Sequence, residues 1–205
     1  MRRSSLQTLV LVGVLVIAGC LGVTSTEPPA SPSTSAEPEA TMGIHANTSY
    51  YGFKNTEPNT TYEVTVTVTH APISAYSVTY VRNGTVTTRT FEARVPANVT
   101  DELTVEPEGD SIASQTYTVK PESNIVIRLD GMPEDAALLT TYRVEGERFL
   151  RGHGALENGC SQSKLRAYTI VEEESVTNAG CGALAGELSK NVTTYYTLQP
   201  TETTS

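Results

Sequence analysis

Residues 62–69 alternate strictly between apolar and polar side chains, and this run constrains the fold more than any other part of the chain. It reads Tyr-Glu-Val-Thr-Val-Thr-Val-Thr. Successive side chains of an extended strand point to opposite faces, so the tyrosine and the three valines share one face and the threonines share the other. A helix would spread the same apolar residues around its axis. The run therefore predicts a strand with one buried face and one face in solvent.

The dipeptide Asn83-Gly84 predicts a tight hairpin between two further strand candidates, 76–81 and 86–95. Asn-Gly is the preferred pair for a type I′ turn, in which both residues need a positive φ. Other short apolar runs, bounded by turn residues, lie at 103–105, 115–119, 125–129, 138–144, 165–171 and 192–198. Roughly nine short strands without a long helical pattern predict an all-β chain, and specifically an antiparallel β-sandwich.

Residues 60–144 resemble, in this pattern, the immunoglobulin-like and fibronectin-like domains of many surface proteins. The hallmarks of antibody domains are missing, because the chain has no tryptophan and Tyr142 is followed two residues later by Val144 where those domains have a cysteine. We expect a β-sandwich core over 47–144. Residues 145–205 are expected to add strands to the same domain, as a C-terminal extension stapled by a disulfide.

The N-terminus has the organisation of a secretory signal. Arg2 and Arg3 precede the uncharged run 9–18, which is too short to span a bilayer. The run ends Ile17-Ala18-Gly19-Cys20, which resembles the lipobox of lipoproteins. The resemblance implies a signal peptide over 1–19, lipid on Cys20 and a position on the outer face of the cell membrane. Since one acyl chain holds a protein only marginally, two chains are expected.

Two alternatives to the lipobox remain open: a plain signal peptide, and an uncleaved anchor in which Cys20 is incidental. The sequence Arg2-Arg3-Ser4-Ser5-Leu6 also resembles a twin-arginine export signal, although Ser5 stands where a large apolar residue is preferred. Between the lipid site and the first strand, residues 20–46 consist mainly of Thr, Ser, Pro, Glu and Ala. Such a segment buries too little apolar surface to offset ordering, which predicts a disordered tether.

Two cysteines remain once Cys20 is assigned to lipid, and Cys160 and Cys181 are expected to form a disulfide in an oxidising compartment. A metal site on this pair would need more donors. No histidine lies between or after the two cysteines, so neither a zinc site nor a blue-copper site is expected. We predict no metal and no cofactor.

Acidic residues outnumber basic ones by 23 to 14, which gives a formal charge of −9. A surface of this sign repels the phosphate backbone, so a nucleic-acid partner is not expected. Four lysines against nineteen glutamates, no tryptophan and a lipobox together resemble the surface lipoproteins of salt-loving archaea. An ordinary acidic secreted protein has a similar composition, and this alternative stays open.

Five asparagines lie in the N-glycosylation acceptor pattern, which indicates surface positions in a secreted chain. They are Asn47, Asn59, Asn83, Asn98 and Asn191.

Catalytic chemistry has one candidate position, His153, in the glycine-flanked stretch Arg151-Gly152-His153-Gly154 with Arg148 close by. A histidine in such a loop is more often a solvated turn residue than a base, and no Gly-x-Ser-x-Gly motif accompanies it. The sequence therefore predicts a non-catalytic, membrane-anchored binding or cell-envelope module with an envelope protein or polysaccharide as partner. The alternatives are an accessory subunit of a membrane complex or transporter, and a small enzyme that uses the His153 loop.

Overall fold

A computed structural model describes residues 48–157, 166–171, 175–180 and 192–201. Every regular element in these ranges is a strand, and none of them contains a helix long and apolar enough to cross a membrane. The twelve strands are β1 (Ser49–Asn55), β2 (Tyr62–His70), β3 (Ala75–Arg82), β4 (Thr85–Glu92), β5 (Glu102–Pro107), β6 (Ser111–Val119), β7 (Asn124–Leu129), β8 (Ala136–Val144), β9 (Gly152–Glu157), β10 (Arg166–Val171), β11 (Ser175–Gly180) and β12 (Thr194–Leu198). The all-β prediction is confirmed.

The strands form three sheets, of which two enclose the main core. A five-stranded sheet has the order β11-β10-β1-β7-β12, and a four-stranded sheet has the order β6-β2-β8-β9. Apolar side chains from both sheets meet in one buried cluster, as in a β-sandwich. The third sheet, β4-β3-β5, contributes to a separate apolar cluster.

The alternating run at residues 62–69 behaves as the pattern predicts. Val64, Val66 and Val68 on β2 are buried in the main core, where they meet the apolar face of the five-stranded sheet. On the opposite face, the Thr65 and Thr67 hydroxyls hydrogen-bond across to Thr116 and Ser114 on β6, at 2.8 and 2.9 Å. The core face excludes water, and the polar face is satisfied by cross-strand hydroxyl pairs.

The five-stranded sheet is mixed, which corrects the prediction of a purely antiparallel sandwich. β1 pairs parallel with β10, and β12 pairs parallel with β7. Periodicity reports which side of a strand is buried, and short turns report hairpins. Neither reports the neighbour of a strand when the two are far apart in the chain, because parallel pairing requires a long crossover.

Three strands were missed from the sequence, and β1 shows why. Its neighbours Tyr50 and Tyr51 point to opposite faces of the five-stranded sheet, yet both are buried. A strand covered on both faces loses the alternation by which strands are recognised. β9 and β11 are the other two, and β9 contains the glycine-rich sequence around His153, for which the sequence predicts a loop.

Strands after residue 145 lie in the same sheets as the strands before it. β9 pairs with β8 in the four-stranded sheet, and β10 pairs with the central strand β1 of the other sheet. Residues 1–47, which include the expected signal peptide, Cys20 and the whole of the expected tether, lie outside the described residues. The same holds for the expected disulfide between Cys160 and Cys181 and for the acceptor sites Asn47 and Asn191.

The three-stranded sheet packs against the outer face of β8. Tyr76, Val78, Tyr80 and Val105 from this sheet, with Ile73, cover Ala137 and Leu139 of β8. Leu138, between those two residues, faces the main core. β8 is therefore buried on both faces, and it carries the third sheet as an additional layer.

Candidate functional site

The β3–β4 hairpin concentrates positive charge in an acidic protein. Residues 71–100 contain Arg82, Arg89 and Arg94 but only one carboxylate, Glu92, whereas the whole chain carries a formal charge of −9. Arg82 and Arg89 are exposed. This local reversal of charge is the first sign of a site.

Three of the charged and aromatic side chains of this hairpin lie on the face that packs towards β8. The Asn83-Gly84 turn, with φ values of 51° and 77°, sets the register as predicted. In that register Arg89 stands opposite Val78, and Phe91 stands opposite Tyr76. Directly opposed residues of antiparallel strands share a face, so Arg89 and Phe91 project on the same side as the buried Val78. Arg82, two residues beyond Tyr80, projects on that side as well.

A cavity of about 280 Å³ lies beside the hairpin, and no residue of β8 lines it. Its walls come from the hairpin and from the connection between β4 and β5. The hairpin contributes Tyr80, Val81, Arg82, Arg89 and Phe91, and the connection contributes Pro96, Asn98, Val99 and Thr100. We call it the arginine pocket. Its volume lies just below the usual range of small-molecule sites, about 300–1,000 Å³.

The connection is held in place by its own turn and by the apolar cluster beneath it. The backbone N–H of Val99 donates to the Pro96 carbonyl at 3.0 Å, which closes a turn. The Val99 side chain packs against the cluster that includes Tyr80, so Asn98 and Thr100 remain exposed at the rim. At the far end, the Val81 N–H donates to the Asp101 carbonyl at 3.0 Å. The rim is thus fixed at two points.

Among the residues that the structure describes, no carboxylate lies within ion-pair distance of Arg82 or Arg89. Three other arginines each have such a partner, namely Arg128, Arg143 and Arg151. An unpaired guanidinium offers five N–H donors in a planar fork that matches a carboxylate, a sulfate or a phosphate. With the Tyr80 phenol, the Asn98 amide and the Thr100 hydroxyl, the pocket is lined largely by donors and suits an anionic group.

Comparisons with family models, with curated proteins and with solved structures find no match to this chain. The site must therefore be interpreted from its own chemistry.

His153 lies on strand β9, and the expectation of a loop is wrong. It stands opposite Thr141 on the outer face of the four-stranded sheet. Its Nδ1 lies 2.9 Å from Oε2 of Glu102, at the start of β5, and the two side chains are only 27 % and 11 % exposed. The Leu150 N–H also donates to the Glu102 carbonyl at 2.8 Å. His153 thus joins the four-stranded sheet to the three-stranded sheet.

The His153–Glu102 pair resembles the base and the orienting carboxylate of a nucleophilic triad. Within the described ranges no serine, threonine or cysteine hydroxyl or thiol is hydrogen-bonded to His153, and Thr141 lies opposite it only in the strand register. The same ranges contain no group of three or more histidine, cysteine or acidic side chains that could hold a metal ion. The His153–Glu102 hydrogen bond is therefore interpreted as a structural contact between the four-stranded sheet and the three-stranded sheet.

A second histidine–carboxylate pair lies at the surface. His70 Nδ1 is 3.0 Å from Asp135 Oδ2, and both side chains are more than half exposed. The hydrogen bond from His70 lowers the pKa of Asp135 below its ordinary value. Neither side chain lines the arginine pocket.

Three of the five predicted glycosylation sites lie in the described part of the chain, and all three asparagines are exposed: Asn59, Asn83 and Asn98. Asn83 occupies the hairpin turn, and Asn98 lines the arginine pocket. Sequence reasoning found these asparagines but missed the pocket. The signal was available, because the Asn-Gly turn sets the register that brings Arg82 and Arg89 onto one face.

Proposed function

We propose that this protein is a membrane-anchored surface lipoprotein whose immunoglobulin-like β-sandwich acts as a non-catalytic binding module, and that it takes an anionic group of its ligand into the arginine pocket. The observation that carries the proposal is the cavity flanked by two arginines without a described acidic partner, in a protein of net charge −9.

The charge balance of the protein favours contact recognition over attraction at a distance. The acidic surface as a whole repels anions, so the field of the protein does not guide an anionic ligand towards it. High salt removes that repulsion, since the Debye length falls to about 3 Å at 1 M ionic strength. Direct guanidinium–anion hydrogen bonds persist better under these conditions, because they act at contact. The pocket therefore suits binding in a salty medium.

The anchoring part of the proposal rests on the lipobox Ile17-Ala18-Gly19-Cys20. Twenty-eight residues separate Cys20 from the start of β1 at Ser49, which is ample chain to hold the sandwich off the membrane. Partners in this position are components of the cell envelope, either polysaccharide or protein. The intact mass of membrane-extracted protein tests the anchor, because it reports cleavage before Cys20, the lipid and the Cys160–Cys181 disulfide together. Recovery of an unmodified chain without detergent would contradict the anchor.

The pocket is tested with a pair of sugars that differ only at C6, where one has a carboxylate and the other a hydroxymethyl group. We expect the mature protein to bind galacturonate in preference to galactose by isothermal titration calorimetry, because only the former has a carboxylate. Arg82→Gln and Arg89→Gln should each weaken galacturonate binding by about tenfold, the loss expected for one charge-assisted contact. Arg143→Gln is the matched control, since Arg143 pairs with Glu63 on the four-stranded sheet. Equal binding of the two sugars, or equal losses in all three variants, would refute the proposal.

A second candidate function, an accessory subunit of a membrane complex, is favoured by the open edge of β4. This strand pairs with β3 on one side, and no described strand lies on its other side. It contains neither lysine nor proline, and Val86 is 51 % exposed. Such an edge accepts a strand from a partner. In a two-residue hairpin the N–H of Thr88 points away from β3, so Thr88→Pro should abolish a cross-linked complex that Arg143→Gln retains.

A further inference from the structure

Asn98 combines two properties that the other described acceptor asparagines do not share. It belongs to the acceptor pattern Asn98-Val99-Thr100, and it lines the arginine pocket. Asn59 and Asn83 are equally exposed, but neither lines the pocket. We propose that Asn98 is an N-glycosylation site and that its glycan closes the arginine pocket, so that only chains unmodified at Asn98 bind the anionic ligand. The proposal rests on the function assigned to the pocket above.

The local backbone presents Asn98 to a modifying enzyme. Residues 96–99 form a turn closed by the 3.0 Å hydrogen bond from the Val99 N–H to the Pro96 carbonyl. Val99 is the anchoring side chain, while the exposed Asn98 and Thr100 on either side of it are the two residues that the acceptor pattern requires. Neither side chain donates a described hydrogen bond that modification would break.

The chemical step is a transfer of sugar to the amide. The Asn98 Nδ2 attacks C1 of the first sugar of a lipid-phosphate-linked glycan, and a C–N bond forms. The C1–O bond to the phosphate breaks, the phosphate leaves with the bonding electron pair, and Nδ2 loses one proton. No oxidant or reductant is needed. The glycan donor is the only co-reactant.

The place of Asn98 in the lining of the pocket explains why the attached sugar would exclude a ligand. The cavity has a volume of about 280 Å³, which is small for a ligand site, so a sugar ring attached at its rim would take up most of the opening. Attachment also raises the effective concentration of that sugar in the pocket to the millimolar range, as for any tethered ligand. The sugar hydroxyls would meet the Arg82 and Arg89 donors, which can then no longer reach a free anion.

The test compares the mature protein produced with and without N-glycosylation, with galacturonate as the probe in both cases. Peptide mass spectrometry reports occupancy of Asn98. We expect the unglycosylated protein to bind galacturonate and the form occupied at Asn98 to bind at least about tenfold more weakly, because the direct contacts are lost. Asn98→Gln made in the glycosylating host should bind galacturonate as tightly as the same variant made without glycosylation, because neither carries a glycan at residue 98. The matched control is Asn59→Gln in the β1–β2 connection. This variant should bind galacturonate as weakly as the glycosylated wild-type protein, because its glycan at Asn98 is intact.

The intrinsic effect of the Gln side chain is measured with Asn98→Gln protein made without glycosylation. Failure of the unglycosylated wild-type protein to bind would overturn the assigned function of the pocket, and the inference with it. The inference alone fails, and the pocket function stands, in two other cases. One is equal binding by occupied and unoccupied protein, and the other is a glycosylating host that leaves Asn98 unmodified while it modifies Asn59.

Discussion

Replacement of Gly152 by alanine should destabilise the fold, because the side chain of Tyr142 occupies the space that a Cβ would need. A Cβ built on Gly152 would lie 2.5 Å from the Tyr142 Oη, 2.7 Å from Cζ and 2.9 Å from Cε1. Oη and Cζ lie on the axis of the χ2 rotation, so turning the ring about that axis does not relieve the contacts. The ring itself must move.

The surroundings of Tyr142 make that movement costly. Its side chain is 6 % exposed, and its ring lies 5.6 Å from the ring of Phe53 and 6.1 Å from the ring of Tyr62. Overpacking of a core costs about 1–3 kcal/mol, and each aromatic pair contributes about 0.5–1.5 kcal/mol. Removing the flexible glycine from the unfolded chain returns about 0.4–1 kcal/mol. We expect Gly152→Ala to lower the free energy of unfolding by about 2 kcal/mol.

Urea unfolding followed by circular dichroism measures this change as a lower midpoint at an unchanged slope. A double-mutant cycle with Tyr142→Leu separates the contact from a general effect of alanine in β9. If the Tyr142 ring is the cause, Gly152→Ala should cost little in the Tyr142→Leu background. A Gly152→Ala protein as stable as wild type, or an equal cost in both backgrounds, would refute the reasoning.

Three further predictions concern titratable groups. Either His153→Ala or Glu102→Ala should lower the free energy of unfolding by about 1–3 kcal/mol, since each leaves its largely buried polar partner without a hydrogen bond. Thermal unfolding would measure the change, and an unchanged stability would contradict the contact between layers. Burial raises the pKa of Tyr51 to about 12 from 10. The folded state then keeps a proton that the unfolded state loses, so stability should fall between pH 10 and 12, by roughly 2–3 kcal/mol, and less steeply in Tyr51→Phe. His70→Asn should raise the pKa of Asp135, which nuclear magnetic resonance titration would detect; an unchanged value would show that the His70 hydrogen bond does not lower it.

The arginine pocket shows how far a site can be foreseen from sequence. The sequence predicts the Asn83-Gly84 turn, and a two-residue turn at this position implies the register that places Arg89 opposite Val78. Arg82 and Arg89 could therefore have been assigned to one face. The closure of the pocket could not be predicted from the sequence. It depends on the packing of Val99, in the β4–β5 connection, onto an apolar cluster that includes residues of β8. No local pattern reports where an irregular connection will pack.

His153 shows the opposite error. Two flanking glycines suggested a flexible loop around a candidate base. In the fold, Gly152 is required by the ring of Tyr142, and the histidine forms a hydrogen bond to Glu102 between two sheets. A glycine that makes room for a neighbouring side chain has the same sequence signature as a glycine that makes a turn.

The sequence by itself determined the all-β class, the buried face of β2 and the β3–β4 hairpin. These features depend on side-chain alternation and turn conformation, which are set within a few neighbouring residues. Only the tertiary structure decided that β1 lies parallel to β10, that the third sheet covers β8, and that two arginines flank a cavity. Those choices depend on the free energy of packing between segments far apart in the chain, where many residues share the contribution and no short pattern carries it.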